Sequence, residues 1–430
     1  AEADKAYELL VGGDEPSLGV LITYPPTEQV PATADGFGQA AAPRQAPRAR
    51  PASPEAPPAS RTGIDGLVQQ ASGVLARVTS TGKPSRPAGA PAGLRIGTGV
   101  LGAGAFASET LLPALSSTAG LRMVGVCAAT GLSSEGAKTK FGFAYSTTDE
   151  DRLVSDPAVD LVVIATRHNL HARQVVAALQ AGKNVFVEKP LCLSVAELDE
   201  ITRAWQHEVA NRPSRPVLMV GYNRRFAPLM RQMRSFVARS AEPLVATYRV
   251  NAGYIPTDHW VHDAEVGGGR LLGEVCHFVD ALIFLTGSMP ARVFSAGLPG
   301  GGRYRDDNLA LTIEFADGSI GNILYAANGS RSFPKERIEA YSGGLTAVLD
   351  NFRRLEMAGR RRQVVHRRLQ QQDKGHAAEI AALADCLTGD SESPIAYAEL
   401  AATSMTTFAA LGSLRSGSPS VIRPGETDAP

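Results

Sequence analysis

The chain has 430 residues, with 43 basic and 43 acidic side chains and therefore no formal net charge. This balance argues against nucleic acid or an anionic membrane as a partner, and no apolar run approaches the ~20 residues that cross a bilayer. The length allows two or three domains at ~100–200 residues each. Four scattered cysteines without a Cys-x-x-Cys pair predict no metal site and favour the reducing cytoplasm.

The first 93 residues differ in composition from the rest of the chain. Residues 5–25 have the pattern of a short helix, a turn and a strand, which is too little to build a core. Residues 26–93 are rich in Ala, Pro, Gly and Arg and predict a mostly disordered linker. Within this linker, apolar residues at helical spacing predict an amphipathic helix over 63–79, which either docks on a neighbouring module or forms only transiently.

A glycine-rich motif opens the next segment. Residues 94–107 read LRIGTGVLGAGAFA, an apolar strand that runs into Gly102-x-Gly104-x-x-Ala107, and a helix is predicted over 108–115. Gly102 allows a tight turn, Gly104 lets the backbone approach a pyrophosphate, and Ala107 permits close packing of helix on strand. The N–H groups at the start of the helix suit phosphate oxygens. The motif therefore predicts a dinucleotide site.

Strands and helices then alternate along the chain. Strands are predicted at 121–128, 159–165, 184–187 and 217–222, and helices at 133–141, 149–155, 170–181 and 194–210. Ser194 and Glu197 stand at the two positions of a helix capping box. Strands that alternate with helices predict a doubly wound parallel sheet, so the expected fold class is α/β with a Rossmann-like domain over 94–222.

The pattern changes at residue 223. Helices are predicted at 228–238, 270–285, 375–387 and 397–414, and strands at 244–251, 292–296, 308–315, 320–326, 337–341 and 347–349. The pair Asp317-Gly318 predicts a hairpin turn, and the basic stretch 353–368 predicts a solvated hairpin rather than a phosphate site. We therefore expect an α+β domain over 223–422 with a large, open, mainly antiparallel sheet, followed by a tail at 423–430. Helices would cover one face and a second subunit the other, as a homo-oligomer.

The apolar strand 184–187 ends in Glu188, Lys189 and Pro190. A lysine directly after a parallel strand lies outside the carboxyl edge of the sheet, where such sheets bind ligands. With the glycine motif before it, this sequence resembles the Gfo/Idh/MocA family of nicotinamide-dependent oxidoreductases over residues 94–422. The resemblance implies that Lys189 lies beside the nicotinamide and the reacting substrate carbon.

The same resemblance implies further contacts with NAD or NADP. The loop after strand 159–165 is expected to border the nicotinamide ribose, although Arg167 replaces the usual proline and His171 would equally suit a structural role. Arg224 or Arg225 would contact cofactor or substrate oxygens, or form a salt bridge between domains. The expected cofactor-binding residues are Gly102, Gly104, Phe106, Ala107, Thr130, Ala165, Thr166, His168, His171, Glu188, Lys189 and Arg224.

A second group of candidate residues lies in an apolar helix after the glycine run 267–269. His277 is its one histidine, and a lone histidine in such a helix is otherwise usually structural. Many family members have Asp where this chain has Gly273, so either Glu274 orients His277 or His277 acts without a carboxylate. The resemblance makes Lys189, His277 and Glu274 the expected catalytic residues.

The substrate site is expected in a loop over 253–265 and at Asn223. Tyr254, Trp260 and His262 combine aromatic and polar side chains, which suits a sugar and equally suits a packing loop. The end of strand 121–128 carries no acidic residue that would select NAD. Because Thr130, Ser133 and Ser134 could bind a 2′-phosphate, the choice between NAD and NADP stays open.

Together these features predict an enzyme that transfers a hydride between NAD(P) and a secondary alcohol of a sugar, nucleotide-sugar or cyclitol. Lys189 or His277 would take the hydroxyl proton. One alternative is a nucleotide-binding sensor or scaffold without turnover, and another is an oxidoreductase that retains its cofactor and couples two sugars. Residues 1–25 resemble the tail of a zinc-type medium-chain alcohol dehydrogenase, which would make the chain a fragment of a bi-domain oxidoreductase, or else they form an unrelated arm.

Overall fold

The computed structural model describes residues 95–212, 215–299, 301–359, 362–367, 371–389 and 392–422, with 362–367 described by its backbone. All of them belong to one compact unit, Arg86–Pro430. The predicted dehydrogenase tail, linker and amphipathic helix lie outside the described residues, as does the tail at 423–430.

A parallel sheet forms the first half of the described chain. Its strands run in the order β3-β2-β1-β4-β5-β6. They are β1 (Ile96–Leu101), β2 (Leu121–Cys127), β3 (Tyr145–Thr147), β4 (Leu161–Ile164), β5 (Asn184–Val187) and β6 (Leu218–Val220). The alternating helices are α1 (Leu112–Ser117), α2 (Gly131–Phe141), α3 (Glu150–Val154), α4 (His168–Gln180) and α5 (Val195–Asn211). Every residue of β4 is buried, as expected of a parallel strand covered on both faces.

A larger sheet follows, in the order β14-β13-β12-β11-β7-β10-β9-β8-β15. All of its pairings are antiparallel except that of β7 with β10. The strands are β7 (Val245–Asn251), β8 (Pro290–Gly297), β9 (Asn308–Phe315), β10 (Ile320–Ala326), β11 (Glu336–Ser342), β12 (Leu345–Asp350), β13 (Arg354–Gly359), β14 (Arg362–Arg367) and β15 (Ser420–Val421). The predicted combination of a Rossmann-like sheet with a large, mainly antiparallel sheet is confirmed.

Helices cover one face of this second sheet. They are α6 (Pro228–Val237), α7 (Cys276–Thr286) and α9 (Tyr397–Ser416), and a further helix, α8 (His376–Thr388), precedes α9 in the chain. Residues from α6, α7 and the C-terminal half of α9 share a core with the inner face of the large sheet. Apolar residues of α8 instead join the core of the parallel sheet. The end of the chain therefore returns to the first sheet.

Most helices and strands lie where the sequence predicted them. The differences between predicted and observed elements have local causes. The segments predicted as helices 108–115 and 270–285 each begin with a π-helical turn, at Ala107–Leu111 and Leu271–Val275. Such a turn keeps the apolar spacing of a helix over a short segment, so periodicity does not reveal it. Strands β3 and β15 were not predicted because three and two residues are too few to show alternation. The predicted hairpin in the basic stretch is present as β13–β14.

Two adjacent arginines fix the segment between the sheets. Arg225 donates to Asp280 on α7, with Nη2–Oδ1 at 2.5 Å, and to Glu399 on α9 at 2.6 Å. Arg224 donates to Glu336 at the start of β11. Both arginines are buried. Within the part of the chain that the structure describes, every helix is too short or too polar to span a bilayer.

Candidate active site

A cavity of about 390 Å³ lies at the carboxyl edge of the parallel sheet. It brings together residues from both sheets and from the segments that connect them. Twelve residues predicted from the sequence line it: Phe106, Ala165, Thr166, His168, His171, Glu188, Lys189, Asn223, Arg224, Trp260, Glu274 and His277. Its remaining lining residues are Gly221, Lys335, Lys374 and His376.

The glycine-rich turn after β1 adjoins this cavity. Gly102 has φ +101°, and a Cβ there would lie 2.3 Å from the Ala165 carbonyl oxygen, so the position requires glycine. A Cβ at Gly104 would meet no atom within 4 Å, which leaves the backbone open on that side. Ala107 is buried against the sheet, whereas Phe106 is exposed, with its ring 6.1 Å from that of His376. This open turn fits the pyrophosphate of a dinucleotide.

Thr130 caps helix α2 at the end of β2. Its Oγ1 accepts from the Ser133 N–H at 3.3 Å and lies 2.8 Å from Ser133 Oγ. Both side chains are exposed. These exposed hydroxyls could contact either a ribose 2′-OH or a 2′-phosphate. The structure therefore leaves the choice between NAD and NADP open, as the sequence does.

Glu188 and Lys189 directly follow β5, and their side chains lie in different surroundings. Lys189 Nζ donates to the Gly273 carbonyl at 2.8 Å, which links the parallel sheet to the π-helical turn before α7. Glu188 is buried against Gly221, where a Cβ would lie 2.9 Å from its Oε1. Burial raises the pKa of Glu188 to about 7.

His171 joins the loops that follow β4 and β5. Its Nδ1 lies 2.7 Å from the Pro190 carbonyl oxygen, and its Nε2 lies 3.3 Å from that of Thr166. Burial lowers the pKa of the His171 imidazole to about 4. A neutral histidine donates through only one nitrogen, and the shorter contact identifies Nδ1 as the donor. His171 therefore holds the Pro190 carbonyl, one residue after Lys189, in place.

His168 fills the space next to Gly273. Its Nδ1 lies 2.8 Å from the Gly267 carbonyl oxygen, and its ring packs edge-on against Trp260 at 4.8 Å. A Cβ built on Gly273 would lie 2.8 Å from His168 Cε1, so a side chain at position 273 is excluded while this ring is in place. Burial, and then the charge of Lys189, lower the pKa of His168 to about 3.

Glu274 does not contact His277, contrary to one of the two roles considered for it. Its Oε2 accepts from Arg270 Nη2 at 2.8 Å and from Tyr325 Oη at 2.5 Å, and its Oε1 accepts from Lys335 at 2.9 Å. Although burial opposes it, Lys335 and Arg270 hold the pKa of Glu274 well below its usual range. The π-helical turn and these distant partners direct the carboxylate away from His277.

His277 lines the cavity as a neutral imidazole. Burial, followed by the charges of Arg224 and Lys189, holds its pKa well below 6.5. Its Nδ1 is buried and has no hydrogen-bond partner among the described residues. Leaving a buried polar nitrogen without a hydrogen bond costs folding free energy. Such an unpaired nitrogen therefore calls for an explanation, and a role in binding a ligand supplies one.

Comparison with known proteins identifies the family. Residues 96–210 match the Gfo/Idh/MocA oxidoreductase family, NAD-binding Rossmann fold, and residues 234–342 match a C-terminal domain of the same family. Together the two matches span more than half of the chain. The chain belongs to the Gfo/Idh/MocA oxidoreductase family.

Two curated members of the family are similar over about half of this chain. The 1,5-anhydro-D-fructose reductase of Ensifer adhaerens is 31% identical over 231 residues, which cover 52% of this chain and 66% of that protein. The myo-inositol 2-dehydrogenase of Thermotoga maritima is 26% identical over 221 residues, which cover 50% of this chain and 64% of that protein. The similarity therefore spans less than two thirds of either relative.

A solved structure shares the fold. Levoglucosan dehydrogenase in complex with NADH and levoglucosan superposes with a TM-score of 0.67 at 20% identity, covering 76% of this chain and 99% of that chain. At this identity the likeness concerns the fold alone.

The predicted substrate loop is only partly at the cavity of this Gfo/Idh/MocA protein. Trp260 lines the cavity, whereas Tyr254 and His262 do not. Tyr254 packs edge-on against Tyr304 at 5.8 Å. His262 is buried elsewhere in the same loop.

Three cationic or titratable residues at the cavity were not predicted from the sequence. Lys335 precedes β11, while Lys374 and His376 stand at the start of α8. The segment Asp373-Lys374-Gly375-His376 predicts the capped start of a helix. Helix α8 does begin at His376, but its N-cap residue is Gly375, and Asp373 Oδ1 accepts from the Gly375 N–H at 2.9 Å before the helix. Nothing near Lys335 in the sequence indicates that it reaches the site.

Proposed function

We propose that this chain is an NAD(P)-dependent dehydrogenase acting on a secondary alcohol, or the corresponding ketone, of a sugar, nucleotide-sugar or cyclitol. The observation that carries the proposal is the cavity in which Lys189, neutral His277 and neutral His168 meet beside the glycine-rich turn. Relatives named for an anhydro-sugar and for myo-inositol support the substrate class.

The residues present fit a nicotinamide dinucleotide. Backbone N–H groups over Gly102 to Ala107 would hold the pyrophosphate, because Gly104 leaves that side open. Ala165 and Thr166 would border the nicotinamide half, and Thr130 the adenosine ribose. When bound, the nicotinamide ring exchanges a hydride with the substrate carbon.

Two side chains are placed to handle the hydroxyl proton. Lys189 lies at the sheet edge with its amine held by the Gly273 carbonyl, and His277 lines the same cavity with an imidazole that stays neutral at pH 7. The Glu274 carboxylate already accepts hydrogen bonds from Arg270, Lys335 and Tyr325. We therefore assign it to holding the Arg270 and Lys335 side chains in place and not to accepting the substrate proton. We assign the proton transfer to Lys189 or His277 and a binding role to His168.

The test combines cofactor binding with turnover. We expect NADH or NADPH to bind with micromolar affinity in a fluorescence titration, and the matching oxidised cofactor to be reduced with one of a panel of sugars and cyclitols. The Lys189→Ala variant should lower turnover ~10²-fold or more while cofactor binding stays measurable. Lys138→Ala, at an exposed i,i+3 ion pair, is the matched control.

Failure of both cofactors to bind a folded sample without retained nucleotide would refute the dehydrogenase. Cofactor binding with no turnover on any substrate would instead support a nucleotide-binding sensor or scaffold. Unchanged turnover in Lys189→Ala would remove the assignment of that lysine.

The wider organisation of the protein is part of the proposal. Residues 94–222 would form the cofactor domain and 223–422 the substrate and oligomerisation domain, with homo-oligomers built through the outer face of the large sheet. Four buried free cysteines favour a reducing cytoplasm. The assignment of residues 1–25 to the tail of a zinc-type medium-chain alcohol dehydrogenase, and of 26–93 to a linker, rests on the sequence alone.

A further inference from the structure

Two carboxylates at the cavity have matching sets of partners: Glu274 lines it, and Glu336 lies behind two of its lining residues, Arg224 and Lys374. Glu274 accepts from an arginine, a lysine and a tyrosine, as described above. Glu336 does the same: its Oε2 accepts from Arg224 Nε at 2.8 Å and Tyr248 Oη at 2.6 Å, and its Oε1 accepts from Lys374 at 2.6 Å. In each cluster one negative charge faces two positive charges.

The Glu336 cluster therefore carries an excess positive charge at the cavity, whereas in the Glu274 cluster the buried carboxyl of Asp307 also acts on Arg270. Glu336 and its arginine are buried, with 0% and 7% of their side chains exposed, so solvent does little to screen them. Lys374 is 19% exposed and Lys335 39%. An uncompensated charge in such surroundings is costly, and a bound anion would offset it. The lowered pKa of His376, caused by burial and then by Arg224 and Lys374, is consistent with this positive field.

The two lysines retain donors for such an anion. A lysine ammonium has three N–H donors. Among the described residues, Lys335 donates one hydrogen bond, to Glu274, and Lys374 donates one, to Glu336. Two donors on each lysine thus remain for a ligand or for water.

Lys335 and Lys374 lie at the boundary between the cavity and an adjoining groove. Both line the cavity next to Lys189 and His277. Both also line an adjoining groove of about 510 Å³, whose other walls include Phe333, Asn351 and Gln372. The residues that line this groove come from the large sheet and its connections, and none of them belongs to the glycine-rich turn. A molecule that reacts beside Lys189 can therefore extend past both lysines into the groove.

We propose that Lys335 and Lys374 bind an anionic group of the substrate, a carboxylate or a phosphate, so that this chain acts on acidic or phosphorylated sugars in preference to neutral ones. The inference rests on the proposed dehydrogenase function and specifies its substrate class. The anion lies between the two lysines, the reacting hydroxyl lies near Lys189, and the groove accepts the remainder of a larger substrate.

The experiment compares sugars that differ in their charged group. The full chain, saturated with NADH, is titrated calorimetrically with D-glucose, D-glucuronate and D-glucose 6-phosphate, in low salt and in high salt. We expect at least one of the two anionic sugars to bind ~10-fold or more tightly than glucose, because hydrogen bonds to charged groups have this strength. Comparing the affinities for glucuronate and glucose 6-phosphate distinguishes a carboxylate site from a phosphate site. High salt should weaken the binding of the anionic sugars and leave the binding of glucose unchanged.

The variant Lys335→Gln/Lys374→Gln should remove this preference and leave glucose binding and NADH affinity as in the wild type. Glu274 and Glu336 keep their arginine and tyrosine partners in this variant, and an unfolding curve checks that it folds. Lys335→Arg/Lys374→Arg should retain the preference, and Lys138→Gln is the matched surface control.

Equal affinity for the three sugars, no binding of either anionic sugar, or an unchanged preference in the double glutamine variant would overturn the inference. A loss of NADH affinity in that variant, without a change in sugar binding, would also overturn it, because the lysines would then serve the cofactor phosphates. If the wild type binds no NADH or NADPH, the proposed dehydrogenase itself fails, and this outcome is read from the cofactor titration before any sugar is added.

Discussion

Gly273 and His168 share one space in the cavity wall, and this contact can be tested directly. A Cβ on Gly273 would lie 2.8 Å from His168 Cε1, and the ring cannot easily withdraw because Gly267 and Trp260 hold it. We expect Gly273→Ala to lower the free energy of unfolding by ~1–3 kcal/mol, as overpacking does. Urea denaturation followed by circular dichroism measures the change.

The matched control for that variant is Gly136→Ala. Gly136 lies within α2, and a Cβ there would meet no atom within 4 Å, so the substitution should be neutral or stabilising by ~0.5–1 kcal/mol. A double-mutant cycle with His168→Ala should show coupling between the two sites, because the smaller side chain vacates the space. Additive effects would show that the two residues do not compete.

The buried histidines predict how acid affects the folded state. The pKa of His168 is lowered to about 3 and that of His171 to about 4, chiefly by burial, whereas both titrate near 6.5 when unfolded. Between these values the unfolded chain binds more protons, so lowering the pH favours unfolding through these two groups. Their contribution to stability is complete above pH ~6.5 and declines as the pH falls toward 4.

Histidine ring resonances in isotopically labelled protein measure this prediction. We expect the signals of His168 and His171, assigned with His168→Gln and His171→Gln, to stay constant from pH 8 to pH 5. In urea-unfolded protein the same rings should titrate with a midpoint near 6.5. A midpoint above pH 6 for either ring in the folded protein would contradict the structure.

At the scale of elements, Glu336 joins β11 to the segment before α6 and to the start of α8. It is fully buried and accepts from Arg224, Tyr248 and Lys374. Glu336→Gln keeps the size of the side chain and removes its charge, which leaves the buried Arg224 and the partly buried Lys374 uncompensated. We expect a loss of ~3–5 kcal/mol in the free energy of unfolding, measured by urea denaturation.

Glu314→Gln on β9 is the control for this substitution. Glu314 accepts from Arg292 at 2.7 Å in an exposed ion pair, and exposed pairs contribute little to stability. Its variant should unfold as the wild type does. If Glu336→Gln also left the free energy of unfolding unchanged, the Glu336 cluster would not stabilise the fold.

Elements whose signal is local were predicted well. Strand β5 has the predicted bounds, and Ser194 caps α5, with its hydroxyl accepting from the Glu197 N–H at 3.2 Å. The glycine motif and Lys189 likewise follow from their neighbours in the sequence. By contrast, Lys335 and Tyr325 reach Glu274 from distant strands, and no local pattern encodes such a contact. One of the two alternatives for Glu274, that it orients His277, follows from spacing within a single helix and therefore takes no account of these partners.

For the whole molecule, the candidate site depends on the relative placement of two sheets. The parallel sheet contributes Lys189, whereas the elements around the large sheet contribute His277, Lys335 and Lys374. Sequence patterns predicted both sheets and several residues from each. They did not predict which side chains of the second sheet meet the first, because that depends on packing across the junction at Arg224 and Arg225.

The outer face of the large sheet carries a row of apolar side chains. Tyr341, Val245 and Ile320 are paired across three neighbouring strands, β11, β7 and β10. They are 44%, 47% and 38% exposed, respectively. Large exposed apolar patches often take part in protein–protein contacts, and a two-fold contact would place the same patch on both subunits. This arrangement supports the proposed homo-oligomer.

We expect Ile320→Lys to dissociate that oligomer, because each two-fold contact would bring in two uncompensated charges. Size-exclusion chromatography with light scattering should give a dimer or larger assembly for the wild type and a smaller species for the variant. Leu132→Lys on α2, at a side chain that is 87% exposed, is the control and should assemble as the wild type does. A wild type that is monomeric at micromolar concentration would refute the interface. An Ile320→Lys protein that keeps its assembly state would place the contact on another surface.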